Sequence, residues 1–349
     1  MTGGASETFR RGALSRLPHP LGAVVSSRHS RMLRAMGVGL CLLAVAGCST
    51  LPFSGPAAQG PRKTPRPQTA PQDLNGAKVA PRSPDSIALA AYFQQVQDNL
   101  LSQGLMRTDV APRDAPFHRR QLIDNFVNIA LYDEYEHRNG AFVAKQTASK
   151  LRRWEEPVRM DLHFGASIPE AQRQKDTATV RAYAGKLAQI TRHPVSLVPD
   201  RGNFSVLVLN EDEREGSAAL LRKMVPGIDD SSVNAITNLP TTTFCVVFAF
   251  SEGDKSAYSR AVAIIRGEHP DALRESCFDE ELAQGLGLAN DYPRARPSIF
   301  NDDEEFARLT HQDELMLKML YDPRLRPGMT QDEAMPAIRE IAAELTPND

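Results

Sequence analysis

Apolar positions recur along this chain with two different periods, and the switch between them marks its organisation. Spacings of three and four predict helices over Asp85–Gln103 and Arg119–Glu136, the first capped by Ser83 or Asp85, with Gly104 and Gly140 as stops. Met106–Phe117 between them is punctuated by proline and reads as a loop. The period then shortens to two in Val158–Phe164 (VRMDLHF), a strand. It lengthens again in Thr177–Arg192, a helix with Val180, Tyr183, Ala184, Leu187 and Ile190 on one face. Short apolar runs at Val195 (VSLV), Phe204 (FSVLVL), Thr243 (TFCVVFAF) and Ala261 (AVAII) read as further strands. Helices, a strand, a helix and then several strands predict an α+β fold in which a twisted mixed sheet carries a long backing helix. Tyr92, Tyr132 and Tyr135 sit at helical spacing in the first two predicted helices, where core packing is the ordinary role and a ligand groove the alternative.

The last strand feeds the stretch Cys277–Asp291, CFDEELAQGLGLAND. Leu282, Ala283 and Leu286 share one helical face, and Glu280, Glu281 and Gln284 lie on the other. Glu280 and Gln284 are four apart and so stack on one side, the spacing with which a helix presents two ligands around an acid. Gly287 ends the helix, although any glycine-capped amphipathic helix gives a similar pattern.

The register E-E-x-x-Q-x-x-G-x-x-N resembles the metzincin zinc-peptidase signature H-E-x-x-H-x-x-G-x-x-H with Glu280, Gln284 and Asn290 in place of its three histidines. Glu281 then stands where the general base would be, and Gly287 where such helices turn towards the third ligand. Ser298-Ile299-Phe300 resembles the metzincin Met-turn with phenylalanine for methionine, and Leu309–Tyr321 resembles the closing helix of that fold. The combination is also similar to a proteobacterial lipoprotein family of unknown function, numbered 2927. That family pairs an EE-x-x-Q-x-LGL-x-ND core with a downstream LYDPRL-x-x-GM, here Leu320–Leu325 and Gly328-Met329. The likeness spans about residues 120 to 335. It implies a zincin-like α+β domain with a signature helix, preceded by N-terminal helices.

Composition limits the rest. In 349 residues, 41% apolar and 24% charged, there is enough apolar material for one sizeable core, and a net charge of -2 gives no electrostatic case for nucleic acid. Residues 1–48 read as a leader, basic at first. Met32 is a plausible true start: Arg31 and Arg34 give a positive end, Met36–Ala46 an apolar run too short for a spanning helix, and Val45–Cys48 a small-residue cleavage site. LAVAGC resembles the bacterial lipobox, which implies a lipid on Cys48 and attachment to a membrane through it. Ser49, where an aspartate would favour the inner membrane, implies the periplasmic face of the outer one. Residues 49–84 are a proline-rich tether, and residues 85–349 the folded domain. Of four cysteines, Cys245 and Cys277 remain after processing, and an oxidising periplasm predicts their disulfide. The acidic run Asn210–Glu215 and the pair Asp229-Asp230 read as solvated charge, with calcium as the alternative.

The chemistry expected of the signature helix follows from its donors. Glu280 is a competent zinc ligand, but Gln284 and Asn290 offer neutral amide oxygens, and none of the eight histidines lies between His269 and His311. No metal or cofactor is therefore expected, and Glu281 is left as a vestigial base without an activated water. One reading is a pseudo-peptidase that binds an extended peptide or an envelope polymer without cleaving it, with Phe300 as the floor of the groove. The alternative is a hydrolase that uses carboxylates directly, drawn from Glu280, Glu281 and Asp291. A third role for Gln284 and Asn290 is structural, filling a former metal cavity by hydrogen bonding to Glu280.

Overall fold

The fold is taken from a computed structural model, which describes residues 22–29, 80–138 and 141–348. Cys48, the candidate start at Met32 and the tether up to residue 79 lie outside the described residues. The first strand, β1 (Gly22–His29), runs antiparallel to a later strand that bears Cys245, pairing Gly22 with Ser251 and His29 with Thr243. It lies within the segment read as leader, where GAVVSSRH, which does not alternate apolar and polar positions, gave no sequence signal.

Helix α1 (Pro84–Ser102) begins where expected: Ser83 accepts from the Ser86 amide, and Pro84 takes a first-turn position that needs no donor. It buries Phe93 completely. Helix α2 (Arg119–Ala130) is capped by a reciprocal pair, His118 and Gln121. It stops six residues before the expected end at Glu136. Tyr132–Arg138 instead forms β2, paired antiparallel with β3 (Ala141–Ala148). Gly140, read from sequence as a helix stop, lies outside the described residues.

The main sheet is built from β4 (Arg153–Trp154), β5 (Val158–Phe164), β6 (Val195–Leu197), β7 (Phe204–Leu209), β8 (Thr243–Ser251) and β9 (Ala257–Arg266). Its order is β1-β8-β9-β7-β5-β6. The strands β9, β7, β5 and β6 are parallel, β8 is antiparallel to β9, and β4 runs parallel beside the start of β9. Every residue of β7 and β8 is buried, as expected of strands covered on both faces. Alternation divides them. Phe204, Val206 and Val208 join a large core with α1, α2, α3 (Glu170–Thr191), α7 (Asp271–Gln284), α8 (His311–Leu320) and α9 (Gln331–Leu345). Leu207, Leu209, Val246, Phe248 and Ile264 face a second core against α5 (Ala218–Met224) and α6 (Asp230–Thr237). The fold is thus α+β, with helices on both faces of a mixed, mostly parallel sheet.

The acidic run is not a solvated loop. Glu211–Glu215 forms a short helix, α4, at the carboxyl ends of the parallel strands. Glu211 bridges two buried arginines, Arg214 and Arg266, at 2.5 and 2.7 Å. Glu213 accepts from the amides of Asn210 and Ser167. Glu211 and Glu213 are thus held by internal cations and capped backbone, while Asp212 and Glu215 are exposed as expected of solvated charge.

Candidate functional site

Helix α7 is fixed at both ends and along its length. Its N-cap residue, Pro270, supplies no side-chain cap, and Gln97 of α1 accepts from the Leu273 amide in its place (3.0 Å). Arg274 pairs with buried Asp176 of α3 (2.8 Å) and with Asp271 (2.6 Å). Tyr183 donates its hydroxyl to the Asp279 carbonyl at 2.5 Å. Arg308 pairs with Glu275 and Asp279; burial pushes the Asp279 carboxyl up to about 6 against the pull of that arginine. The Cys245–Cys277 disulfide, with Cα atoms 5.9 Å apart, joins α7 to β8, the pairing expected from sequence.

The two faces drawn from sequence are real, but neither meets solvent. Leu282, Ala283 and Leu286 are fully enclosed, and so are Glu280, Glu281 and Gln284, at 1%, 0% and 1% exposure. The helix lies under cover because it is pressed onto the sheet: a Cβ on Gly285 would sit 2.4 Å from the Phe204 ring. At the turn, Gly287 adopts a φ of 128°, and a Cβ there would meet the Arg152 carbonyl at 2.3 Å. The carbonyls exposed by the ending helix are taken up from outside. Trp154 Nε1 donates to Gly285 (2.8 Å), and the Tyr321 hydroxyl donates to Leu286 (2.9 Å).

Two of the residues expected to converge on a metal position, Gln284 at the end of α7 and Asn290 beyond the turn, go to separate partners. Gln284 Nε2 donates to Asp291 Oδ1 (2.8 Å). Asn290 donates through its side chain to the Asn128 carbonyl (2.7 Å) and through its backbone to Ile129 (3.1 Å), which docks the segment on the end of α2. The side-chain amides of Gln284 and Asn290 therefore donate to Asp291 and Asn128, where the structural reading had them serve Glu280. Among the described residues no group of three or more His, Cys, Asp or Glu is placed to hold a metal ion.

Ser298, Ile299 and Phe300 form a buried turn held by the start of α8. Ser298 Oγ donates to Asp313 (2.5 Å), the Ile299 amide donates to its other oxygen (3.2 Å), and the Phe300 amide donates to Ser298 Oγ (3.0 Å). Thr310 and Asp313 form the reciprocal cap of α8, and burial pushes the Asp313 carboxyl up to about 6 against these donors. Asp313, Asn128, Trp154 and Tyr183 are residues of this assembly that the sequence reading missed. Only Asp313 carried a signal, the Thr-x-x-Asp spacing of a capping box ahead of an apolar run.

The profile of the family described as protein of unknown function (DUF2927) matches residues 119–340. That is more than half of the chain. The chain belongs to the DUF2927 family. Comparison with curated proteins and with solved structures gives no match. Helix α1 lies ahead of the DUF2927 span, yet it supplies Phe93 to the core and caps α7, so the folded unit extends beyond the family boundary. The two sequence elements singled out above meet in space, because Tyr321 of the downstream LYDPRL run donates to the carbonyl of Leu286 in the upstream EELAQGLGL run.

Proposed function

We propose that this DUF2927 chain is a lipid-anchored protein of the cell envelope whose zincin-like domain binds an extended peptide or envelope polymer without cleaving it. In this reading the mature chain begins at lipidated Cys48 and lies on the periplasmic side of the outer membrane. The tether then holds the domain away from the bilayer. Glu280, Gln284 and Asn290 occupy former ligand positions, and Glu281 is a vestigial base. One observation carries the non-catalytic part: the signature carboxylates are enclosed and both amides donate to other partners. A scissile bond has no route to Glu281 without displacement of packed elements, and hydrolysis needs an accessible base with a positioned water.

For binding, the support lies at the edge of the sheet. The outer edge of β8 accepts a whole antiparallel strand, β1. A chain cut before Cys48 lacks residues 22–29, and this edge is then open to strand addition by a peptide, with main-chain hydrogen bonds supplying affinity. Two measurements test the proposal. Cys48→Ser is expected to release the protein from membranes; a variant that still fractionates with them and incorporates palmitate sinks the anchor. The purified chain is expected to hold far less than one zinc and to cleave neither peptides nor cell-wall polymers.

A further inference from the structure

A cavity of about 760 Å³ opens on the far side of the signature turn, where β4 meets the last turns of α3, α8 and α9. Its floor is apolar, made by Ile190, Ile341, Leu345 and the ring of Tyr321. Trp154 and Tyr321 carry this floor directly onto the Gly285 and Leu286 carbonyls, so the cavity is built on the same hydrogen bonds that close the signature helix. Arg153 lies over one side of the Tyr321 ring (5.4 Å), fixed by the Leu320 carbonyl at 2.6 Å, and His193 packs against the ring at 5.1 Å. Burial holds the His193 imidazole below its ordinary range. Its Nε2, 2.9 Å from the Glu156 carbonyl, is placed to donate, and the ring is neutral at pH 7.

The charges at the rim are unequal. Arg324 forms a double pair with Asp322 (2.9 Å) and with Glu344 (2.7 Å), which offsets one of the two negative charges these acids bring to the cavity. Arg153, Arg192 and Lys318 then face Glu155 and the remaining charge of the Asp322 and Glu344 pair, an excess of one positive charge. Arg192 and Lys318 are exposed and have no acidic partner among the described residues. An apolar floor under excess positive charge selects a ligand with an apolar body and an anionic end.

We infer that this cavity binds the free C-terminal end of a short apolar peptide, its carboxylate directed to Arg192 and Lys318 and its side chains to Tyr321, Ile190 and Ile341. The inference rests on the peptide-binding reading for the class of ligand and on the cavity for the end that is recognised. It uses a different part of the molecule from the β8 edge.

The test uses detergent-solubilised full chain, titrated calorimetrically with acetyl-Leu-Leu bearing a free carboxylate and with the same dipeptide as its C-terminal amide. The acid is expected to bind about tenfold more tightly than the amide, the contribution of a charge-assisted contact at a partly solvated rim. The variant Arg192→Gly with Lys318→Gln is expected to lose that difference and keep the affinity for the amide. Glycine suits the φ of 56° at residue 192, and both positions are exposed, so the variant is expected to melt with the parent. Equal binding of acid and amide overturns the inference, as does a variant that still prefers the acid, or an acid that does not bind. None of these results bears on zinc content or cleavage, which test the reading of the signature helix separately.

Discussion

The signature helix and the cavity behind it are built from the same kinds of residue and put them to opposite use. In α7 and the turn after it, charged and amide side chains are enclosed, with Gln284 on Asp291 and Asn290 on Asn128. In the cavity, by contrast, Arg192 and Lys318 stand in solvent over an apolar floor. Buried polar groups with partners specify architecture, whereas exposed charge without a partner is available to a ligand. A motif that looks like chemistry can therefore be scaffold, and the surface it supports can be where binding occurs.

The comparison breaks most readily at Gly287. If the signature turn is architecture, Gly287→Val is expected to destabilise the chain by about 4 kcal/mol or more, through a β-branched residue at positive φ and a clash with the Arg152 carbonyl. Urea unfolding measures this, and a variant that unfolds at the parent's midpoint would show the turn to be slack. Next in size is the link from α7 to β8. Cys245→Ala with Cys277→Ala is expected to cost about 3 to 4 kcal/mol on a chain-entropy argument for the enclosed loop. Thiol titration of unreduced, denatured protein is expected to find neither cysteine free.

The buried acids give a pH signature of up to about 3 kcal/mol each. The Asp279 and Asp313 carboxyls lie at about 6 in the folded chain against an ordinary value of 3.8. A carboxyl raised in the folded state contributes stability that is fully present below about pH 4 and is lost as pH climbs through 6, because folding then enforces burial of the charge. Unfolding midpoints of the parent are expected to shift across this window, and less so in Asp279→Asn. Identical slopes in the two proteins would remove Asp279 from the account. At the small end, Arg192→Gly and Lys318→Gln are expected to change stability by no more than about 0.5 kcal/mol, as surface substitutions do. A larger loss would make the rim structural.

Much of the sheet was legible in the sequence because its strands announce themselves by composition. FSVLVL and TFCVVFAF are unbroken apolar runs, and they are the two fully buried strands. The backing helix was legible from the 3.6 period of Val180 through Ile190. The pairing of β2 with β3 was not, since YDEYEHR fits a helical spacing as well as a strand. The acidic run misled for a different reason: NEDERE carries no sign that Arg266, more than fifty residues away, will bury itself against Glu211. At the candidate site, the glycines and the enclosed helix were readable from local pattern. The partners were not, because Asn128, Trp154, Tyr183 and Tyr321 reach α7 and its turn from distant parts of the chain, and no local spacing encodes such contacts.

The central claim is that the signature helix is enclosed scaffold rather than a working zinc peptidase site. Its most direct test is the metal content of purified chain measured together with peptide cleavage, in the parent and in Glu281→Gln. The account predicts far less than one zinc per chain and no cleavage by either protein. Stoichiometric zinc, with cleavage that Glu281→Gln abolishes, would contradict it.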